Sequence, residues 1–312
     1  MTICVAALAA DGQAIVCVAD RSVSYGDDIT GESDVTKIVS LGSGAVAMVS
    51  GAENEYERVL AKLGRNTNLG KSIPDTINYC EEKYKETRKE LLATRILEPN
   101  LTDEARLRES ASAPTANKYI RKLMEQVSRF ELQCSIILCG FDEAGAPYIL
   151  SLSSPGEVSD LSHLGYYAIG SGWQYATARM VWSEYSRKKR IDEVLWYTLD
   201  AKISAEINPF IGGEWDGFVL LSGKKPLEVP ANTRLMLDRA WVQHDHSPYY
   251  DRKIDDDPWA PPPRDWKDQL RKFSDSILPP STESATPYPP ATTADPSPPM
   301  PSQESLAKSD ES

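Results

Sequence analysis

The stretch that decides the fold is TICVAALAADGQAIVCVAD, residues 2–20. Two mostly apolar runs, residues 2–10 and 13–19, flank the dipeptide Asp11-Gly12. Apolar runs on either side of Asp-Gly are typical of a β-hairpin, because these two residues tolerate the backbone angles of a tight turn. Since the runs contain few polar side chains, they predict buried strands. The chain is therefore expected to begin with a buried hairpin.

Further hairpins and helices follow along the chain. Glycine-containing turns at residues 42–44 and 142–145 separate two more pairs of predicted strands, at 37–41 and 45–50 and at 132–141 and 147–153. Residues 21–36 are polar and are predicted to form a loop. Apolar residues at helical spacing predict helices at 53–63, 73–92, 102–108, 116–130, 173–185 and 191–207, and short apolar runs predict strands at 166–169 and 218–222. This order predicts an α+β fold with two sheets stacked between helical layers.

Prolines divide the chain into a body and a tail. Of the 22 prolines, 14 lie from Pro248 onward, and the last residues, 279–312, contain few apolar side chains. Such a composition cannot bury enough apolar surface to fold by itself. We therefore expect one folded domain over residues 2–246 and a proline-rich, largely disordered C-terminal tail over residues 247–312.

Charge and cysteine content exclude several classes of protein. The 34 Lys and Arg against 46 Asp and Glu give a net charge of -12, which argues against nucleic-acid binding through a basic field and against attraction to anionic membranes. No apolar run is long enough for a transmembrane helix, and no secretory signal is evident. Five cysteines without a C-x-x-C pair indicate reduced thiols and a cytoplasmic location. His244 and His246 allow either a metal site or an exposed pair, and the exposed pair is favoured.

Thr2 is the most informative single residue. Methionine aminopeptidase removes Met1 when a small residue follows, so we expect a mature chain that begins with Thr2. A free N-terminal threonine combines a hydroxyl nucleophile with an α-amine whose ordinary pKa is near ~8, so the amine can act as the base. Many chains begin Met-Thr without any catalytic consequence, and Thr2 alone therefore does not establish an enzyme.

Three other residue types that this chemistry needs occur at strand ends. A cation lowers the pKa of the nucleophile, a carboxylate orients that cation, and a backbone N–H stabilises the oxyanion. Asp20, Lys37 and Gly51 have these capacities, and antiparallel pairing can bring them to the start of the first strand. Each also has an ordinary explanation, as a turn residue, an exposed lysine or a strand-ending glycine. Their joint occurrence in this order favours the catalytic interpretation.

These segments resemble a known family. TICVAALAADGQAIVCVADR, VTKIVSL, AMVSGAENE and AIGSGWQYA, in this order, resemble a proteasome β-type subunit or bacterial proteasome-like peptidase, within the N-terminal nucleophile hydrolases. The resemblance covers roughly residues 2–222. It implies a four-layer αββα sandwich, here with an extended helical block at residues 53–130.

The resemblance also implies a role for each site residue. Thr2 looks like the nucleophile and base, Asp20 like the orienting carboxylate and Lys37 like the pKa-lowering lysine. Gly51 looks like the oxyanion donor, and Ser171 like the serine near the amine of the nucleophile. No metal and no cofactor are implied.

Several positions depart from the family pattern. Arg21 lies one position earlier than the usual arginine of the family. The late Asp-x-x-Ser-Gly-Gly motif appears as residues 208–213, with Asn208 at the carboxylate position and Ile211 at the serine position. Isoleucine cannot form the hydrogen bonds of serine, so reduced activity or an altered geometry follows from the pattern. Ser22, Ser24, Ala47 and Val49 are candidates for lining the substrate pocket.

The resemblance implies a threonine-type peptidase that acts on peptides or unfolded proteins within a homo-oligomeric ring. It does not identify an ATPase partner. Two alternatives remain open: a non-catalytic structural subunit on the same fold, and an amidase that uses the same nucleophile on a non-peptide amide.

Overall fold

Two five-stranded antiparallel sheets lie face to face in a computed structural model that describes residues 2–25, 29–32, 36–42, 44–64, 68–112, 118–208, 211–244 and 263–278. In the first sheet, from one edge to the other, the strands are β10 (Tyr166–Gly170), β1 (Ile3–Ala9), β2 (Ala14–Asp20), β11 (Trp215–Leu221) and β12 (Leu227–Glu228). In the second they are β5 (Ile38–Ser40), β6 (Val46–Gly51), β7 (Cys134–Phe141), β8 (Pro147–Ser153) and β9 (Glu157–Asp160). The strands β3 (Ser22–Tyr25) and β4 (Ile29–Glu32) form a separate hairpin.

Helices cover the outer face of both sheets. The second sheet carries α1 (Glu53–Leu63) and α2 (Ile73–Leu92), which lead into the further helices α3 (Glu104–Ser112) and α4 (Lys118–Ser128). The first sheet carries α5 (Trp173–Trp182), α6 (Ile191–Ala205), α7 (Ala231–His244) and α8 (Trp266–Ile277). The predicted four-layer αββα sandwich is therefore confirmed.

The first hairpin is buried on both faces, which explains its apolar sequence. Odd-numbered residues of β1 and even-numbered residues of β2 pack against the helices of the first sheet. The intervening residues of both strands pack against β5, β6, β7 and β8 across the space between the sheets. Because successive side chains of a strand point to opposite faces, a strand in the middle of such a sandwich needs apolar residues throughout.

The hairpin turn is wider than two residues. Ala10, Asp11 and Gly12 all have positive φ, of 49°, 54° and 86°. A Cβ at Gly12 would lie 3.2 Å from Pro147 Cγ. Glycine is therefore favoured here both by its positive φ and by the limited space. The prediction of a hairpin at Asp11-Gly12 is confirmed.

The helical block between β6 and β7 has its own small core. After α2 the chain continues through a π-helical turn, Ala93–Leu97, and a 3-10 turn, Glu98–Asn100. Leu92, Leu97, Leu107 and Leu123 form an apolar cluster separate from those of the sandwich. The block is therefore a folded extension at one end of the second sheet.

Several elements differ from the sequence prediction, and the short strands β9 and β12 are among those it lacks. The segment at residues 21–36 was predicted as a loop, but it contains the β3–β4 hairpin. The helix α7 follows β12 where no element was predicted. The helix α8 lies in the segment assigned to the tail, yet Leu270 and Ile277 are buried in the core of the first sheet. Order therefore extends beyond residue 246, because α8 is amphipathic and its apolar side fits this core.

Residues 279–312 lie outside the described part of the chain, and a disordered tail there stays a prediction. Among the described residues, no helix combines the length and apolar character that spanning a bilayer requires.

Candidate active site

Asp20 and Lys37 form a buried ion pair at the ends of two strands. The Lys37 Nζ lies 2.9 Å from the Asp20 Oδ1, and the side chains are 7% and 0% exposed. Asp20 is the last residue of β2, and Lys37 directly precedes β5 in the other sheet. The pair therefore joins the two sheets at one end of the sandwich, where the sequence predicted a carboxylate and a cation to meet.

The same carboxylate fixes the backbone beside Thr2. The Ile3 backbone N–H donates to Asp20 Oδ1 at 2.8 Å, and the Ser22 N–H donates to Asp20 Oδ2 at 3.1 Å. Ile3 and Lys37 thus share one oxygen atom. The ammonium group is consequently held next to the peptide that follows Thr2.

Thr2 and Ser171 are the next residues beyond the last pair of the β1–β10 ladder, at the edge of the first sheet. In the β1–β10 ladder Ile3 pairs with Gly170, so Ser171 follows directly after the partner of Ile3. Gly170 has φ of 100°, and a Cβ there would lie 1.9 Å from the carbonyl oxygen of Thr2. Only glycine permits this close approach. Thr2 is 9% exposed, whereas Ser171 is exposed.

Gly51 lies in the second sheet, at the end of β6. It pairs with Cys134, has φ of 104°, and is exposed. A Cβ at this position would lie 2.1 Å from the carbonyl oxygen of Gln133, which also accepts the Ala52 N–H at 2.6 Å. The turn from β6 into α1 is therefore fixed against the start of β7.

Val49 connects Gly51 to the ion pair. The Val49 N–H donates to the Lys37 carbonyl at 3.1 Å, and the Val49 carbonyl accepts from Cys4 Sγ at 3.5 Å. Gly51 comes two residues after Val49, and Cys4 comes two residues after Thr2. The described contacts thus bring Thr2, Asp20, Lys37 and Ser171 to one end of the sandwich, with Gly51 close by on β6.

Arg21 belongs to a different network. The Arg21 Nη2 lies 2.5 Å from Asp216 Oδ1, and the Arg234 Nη1 lies 2.6 Å from the same oxygen. The Arg21 Nη1 lies 3.7 Å from Glu214 Oε2. Burial alone would raise the pKa of Asp216, but the hydrogen bonds and charges of Arg21 and Arg234 hold it below its ordinary value. Arg21 therefore braces the end of β2 through β11 and α7.

The departure at Ile211 has a packing explanation. Ile211 is 6% exposed and belongs to the core of the first sheet. A Cβ at Gly172 would lie 2.4 Å from Ile211 Cδ1, so this side chain fills the space behind the Gly170-Ser171-Gly172 turn. A Cβ at Gly212 would lie 2.9 Å from Ser22 Cβ. The segment at residues 211–213 therefore packs beside the site, with a hydrocarbon where the family resemblance implies a hydroxyl.

Lys202 is a functional-site neighbour that the sequence analysis missed. It lies on α6, its side chain is fully buried, and its Nζ donates to Glu206 at 2.5 Å. It also donates to the carbonyls of Gly212 and Gly213, at 2.6 and 2.8 Å. The available signal was a Lys–Glu pair four residues apart in a predicted helix that ends just before Gly-Gly.

The pocket prediction is wrong for two of its four residues, Ala47 and Val49. Ala47 and Val49 are 0% and 1% exposed and pack in the core between the second sheet and its helices. They face away from the space between the sheets and do not line a pocket. Ser22 is buried against Gly212, and the side chain of Ser24 lies outside the described part of the structure.

All five cysteines are buried, free thiols. Burial raises the pKa of Cys80 to about 12 and that of Cys134 to about 11, and it raises the pKa of Cys4, beside the site, further still. These three thiols are protonated at neutral pH. Within the described ranges, no group of three or more His, Cys, Asp and Glu side chains is arranged to hold a metal ion.

No protein-family model matches the sequence, and no curated protein matches it. Solved structures do. The structure of Anbu, described as an ancestral β-subunit, from Yersinia bercovieri superimposes with a TM-score of 0.53 at 16% identity, covering 78% of this chain and 94% of that chain.

This chain has the fold of that ancestral β-subunit. The resemblance to proteasome β-type subunits is thereby confirmed at the level of the fold. The eukaryotic HslV structure from Trypanosoma brucei also matches, with a TM-score of 0.41 at 20% identity, over 70% of this chain and 99% of that chain. In this β-subunit fold, the end of the sandwich that holds Thr2, Asp20 and Lys37 is the candidate active site.

Proposed function

We propose that this protein is a threonine-type peptidase whose nucleophile is Thr2, exposed when Met1 is removed. The observation that carries the proposal is the buried Lys37–Asp20 pair, which shares its carboxylate oxygen with the Ile3 N–H beside Thr2. A buried cation next to an N-terminal hydroxyl favours the ionised, nucleophilic form of that hydroxyl. The arrangement suits acyl transfer from an amide.

In the proposed reaction, the Thr2 hydroxyl attacks the scissile carbonyl while its own amine accepts the proton. Lys37, oriented by Asp20, stabilises the developing negative charge on the Thr2 oxygen. The Gly51 N–H stabilises the tetrahedral oxyanion, and Ser171 assists the amine. The amine then protonates the leaving group, and water hydrolyses the acyl-enzyme. Each step uses a group of the chain itself, and no cofactor is needed.

We further propose that the substrates are peptides or unfolded proteins and that the protein acts as a cytoplasmic homo-oligomer. The helix α5 supports the oligomer because Tyr175 and Trp182, seven residues apart and so on one face of the helix, are 47% and 78% exposed. Large exposed apolar side chains on one element mark an interaction surface. The particle mass in solution tests this, with several copies expected and a monomer contradicting it.

A non-catalytic structural subunit is the second candidate. The buried Ile211 favours it, because this position offers no hydrogen bond to the site. The two functions predict different outcomes for the same experiment.

That experiment is the hydrolysis of short fluorogenic peptides by the wild type and by Thr2→Ala. A matched control is Thr102→Ala, in the helical block. The peptidase predicts turnover by the wild type and by Thr102→Ala but not by Thr2→Ala. No turnover and no reaction of Thr2 with an electrophile would leave the structural subunit. Reaction of Thr2 without peptide turnover would indicate an amidase that acts on a non-peptide substrate.

A further inference from the structure

The helical block forms a groove that the proposed mechanism does not use. Its volume is about 870 Å³, toward the upper end of the roughly 300–1,000 Å³ that is usual for ligand-binding clefts. The walls come from the turns after α2, from α4, and from the segment that leads into β7. Lining residues include Arg95, Tyr119, Lys122, Gln126, Phe130 and Gln133.

The groove reaches the candidate active site through Gln133. This residue lines the groove, and its carbonyl oxygen lies against Gly51 and accepts the Ala52 N–H. Gln133 and Gly51 are both exposed. Odd-numbered residues of β7, such as Ile137, face the first sheet, and continuing this alternation places the Gln133 side chain on the same face. Gln133 therefore borders both the groove and Gly51.

Glu55 holds the two parts together. Its carboxylate is buried, at 3% exposure, and accepts the Gln133 N–H at 2.5 Å and a hydrogen bond from the Arg95 guanidinium. Arg95 belongs to the groove wall, and Gln133 borders Gly51. The position of the groove relative to the oxyanion residue is thus fixed by a buried, charge-assisted contact.

The lining favours a polypeptide chain as the occupant. Gln126 and Gln133 carry amide groups that both donate and accept, as a peptide backbone does. Tyr119 and Phe130 add aromatic surface for side chains. Neither sign of charge dominates, since Arg129 pairs with Glu125 at 2.7 Å. A small anion or cation would find no concentrated charge here, whereas an extended peptide finds both polar and apolar partners.

We infer that this groove continues the substrate cleft and binds a segment of an extended polypeptide remote from the scissile bond. This rests on the proposed function, because the cleft is taken as the place where peptides are cleaved. It deepens that function by making the substrate long. An extended residue spans about 3.3–3.6 Å, so a peptide of three residues is only about 10 Å long, whereas one of about fifteen residues reaches roughly 50 Å and extends well beyond the scissile bond.

The experiment is photo-crosslinking in full-length Thr2→Ala protein, which leaves the peptide uncut. Gln126→p-benzoylphenylalanine places the crosslinker in the groove, and Lys188→p-benzoylphenylalanine places it on an exposed loop beyond α5 as the control. The probes are a fluorescent unstructured peptide of about fifteen residues and its central three residues alone. Circular dichroism verifies that both variants are folded.

We expect the long peptide to crosslink about tenfold more at position 126 than at position 188, the ratio produced by a tenfold difference in local occupancy. Unlabelled long peptide competes, and the three-residue peptide does not. Equal crosslinking at the two positions, or none at 126, overturns the inference. If crosslinking at 126 is specific while wild-type protein turns over no peptide, the groove stands and the proposed peptidase fails.

Discussion

Asp20 has the most tightly defined surroundings of any residue at the site. Two backbone N–H groups and one ammonium group donate to a carboxylate with almost no exposure to solvent. A buried carboxylate needs this compensation, since desolvation without partners costs several kcal/mol. Asp20 therefore binds the cation and the nucleophile-bearing strand to each other. Individual substitutions at the pair separate its structural contribution from its catalytic one.

Lys37→Met removes the charge and keeps most of the apolar stem. We expect it to lose at least about 100-fold in peptide turnover, because a charge that stabilises the transition state is gone. We also expect it to lose about 3–5 kcal/mol in the free energy of unfolding, because Asp20 stays buried without its partner. Urea unfolding and fluorogenic turnover measure the two effects.

The double variant Asp20→Asn/Lys37→Met serves as the control for that prediction. It should recover part of the unfolding free energy but none of the turnover, since the uncompensated charge is removed while the cation is still missing. Lys37→Met with wild-type turnover would exclude Lys37 from the reaction.

Gly51→Ala tests whether the turn from β6 to α1 tolerates a side chain. The backbone has φ of 104°, and the added Cβ would lie 2.1 Å from the Gln133 oxygen. Gly223→Ala is the matched control, with φ of 68° and no atom within 4 Å. Both variants carry the backbone strain of a positive φ, about 1–3 kcal/mol. Because only Gly51→Ala adds the clash with the Gln133 oxygen, we expect it to lose at least about 2 kcal/mol more than Gly223→Ala in urea unfolding. Equal losses would show that the contact with Gln133 is not restrictive.

The helix α6 acts on the site through its C-terminal half. Lys202 ties α6 to the carbonyls of Gly212 and Gly213, and Gly212 packs on Ser22, which donates to Asp20. The loop that departs most from the family pattern is thus held by a buried lysine. A helix of the outer layer in this way positions a segment next to the ion pair.

Lys202→Met should release this loop. We expect faster amide hydrogen exchange at residues 211–213 and a loss of about 3–5 kcal/mol in unfolding free energy, because Glu206 and two carbonyls lose a buried donor. Lys188→Met, at an exposed lysine, is the control and should change neither. Unchanged exchange in Lys202→Met would show that packing of Ile211 alone fixes the loop.

Apolar periodicity predicts the elements that form the layers and fails for those whose pattern is weak. The α1 and α2 bounds, at 53–63 and 73–92, agree with the prediction because their apolar stripes are regular. The β3–β4 hairpin lies in a polar, Gly- and Asp-rich segment, so no alternation marks it. The helix α8 follows a run of prolines, which concealed its apolar side. Whether a segment forms a helix or a strand is set mainly by its own sequence. Whether it is buried depends on the layer that it packs against.

The candidate active site likewise has features that the sequence predicts and others that it does not. Strand ends could be placed from sequence, and so could the approach of Asp20 to Lys37. The Lys202 contacts could not, because they join α6 to a loop through backbone carbonyls that have no sequence signature. Ala47 and Val49 were assigned to a pocket, since the face of a strand that is apolar throughout cannot be read from its alternation.

For the whole molecule, we expect the Arg21–Asp216–Arg234 network to contribute to stability against acid. The folded pKa of Asp216 lies below its ordinary value, which is near 3.9 for an unfolded chain. The carboxylate therefore stabilises the fold above about pH 4, and this contribution is lost as pH falls through the folded pKa.

We expect Asp216→Asn to lower the free energy of unfolding by about 1–3 kcal/mol at pH 7, with the difference from wild type shrinking below about pH 4. Thermal unfolding from pH 7 to pH 2.5 measures this. Asp268→Asn, at an exposed aspartate on α8, should follow the wild type throughout. A difference that stays constant down to pH 2.5 would contradict the linkage.

The most direct test of the catalytic role of Thr2 is intact-mass spectrometry after incubation with a peptide electrophile, with the adduct located by fragmentation. Because burial keeps Cys4, Cys80 and Cys134 protonated, the reagent should not be captured by these thiols. The predicted result is a chain that lacks Met1 and carries one adduct on Thr2, with no adduct on Thr2→Ala. A chain that retains Met1, or an adduct that persists in Thr2→Ala, would contradict a threonine nucleophile.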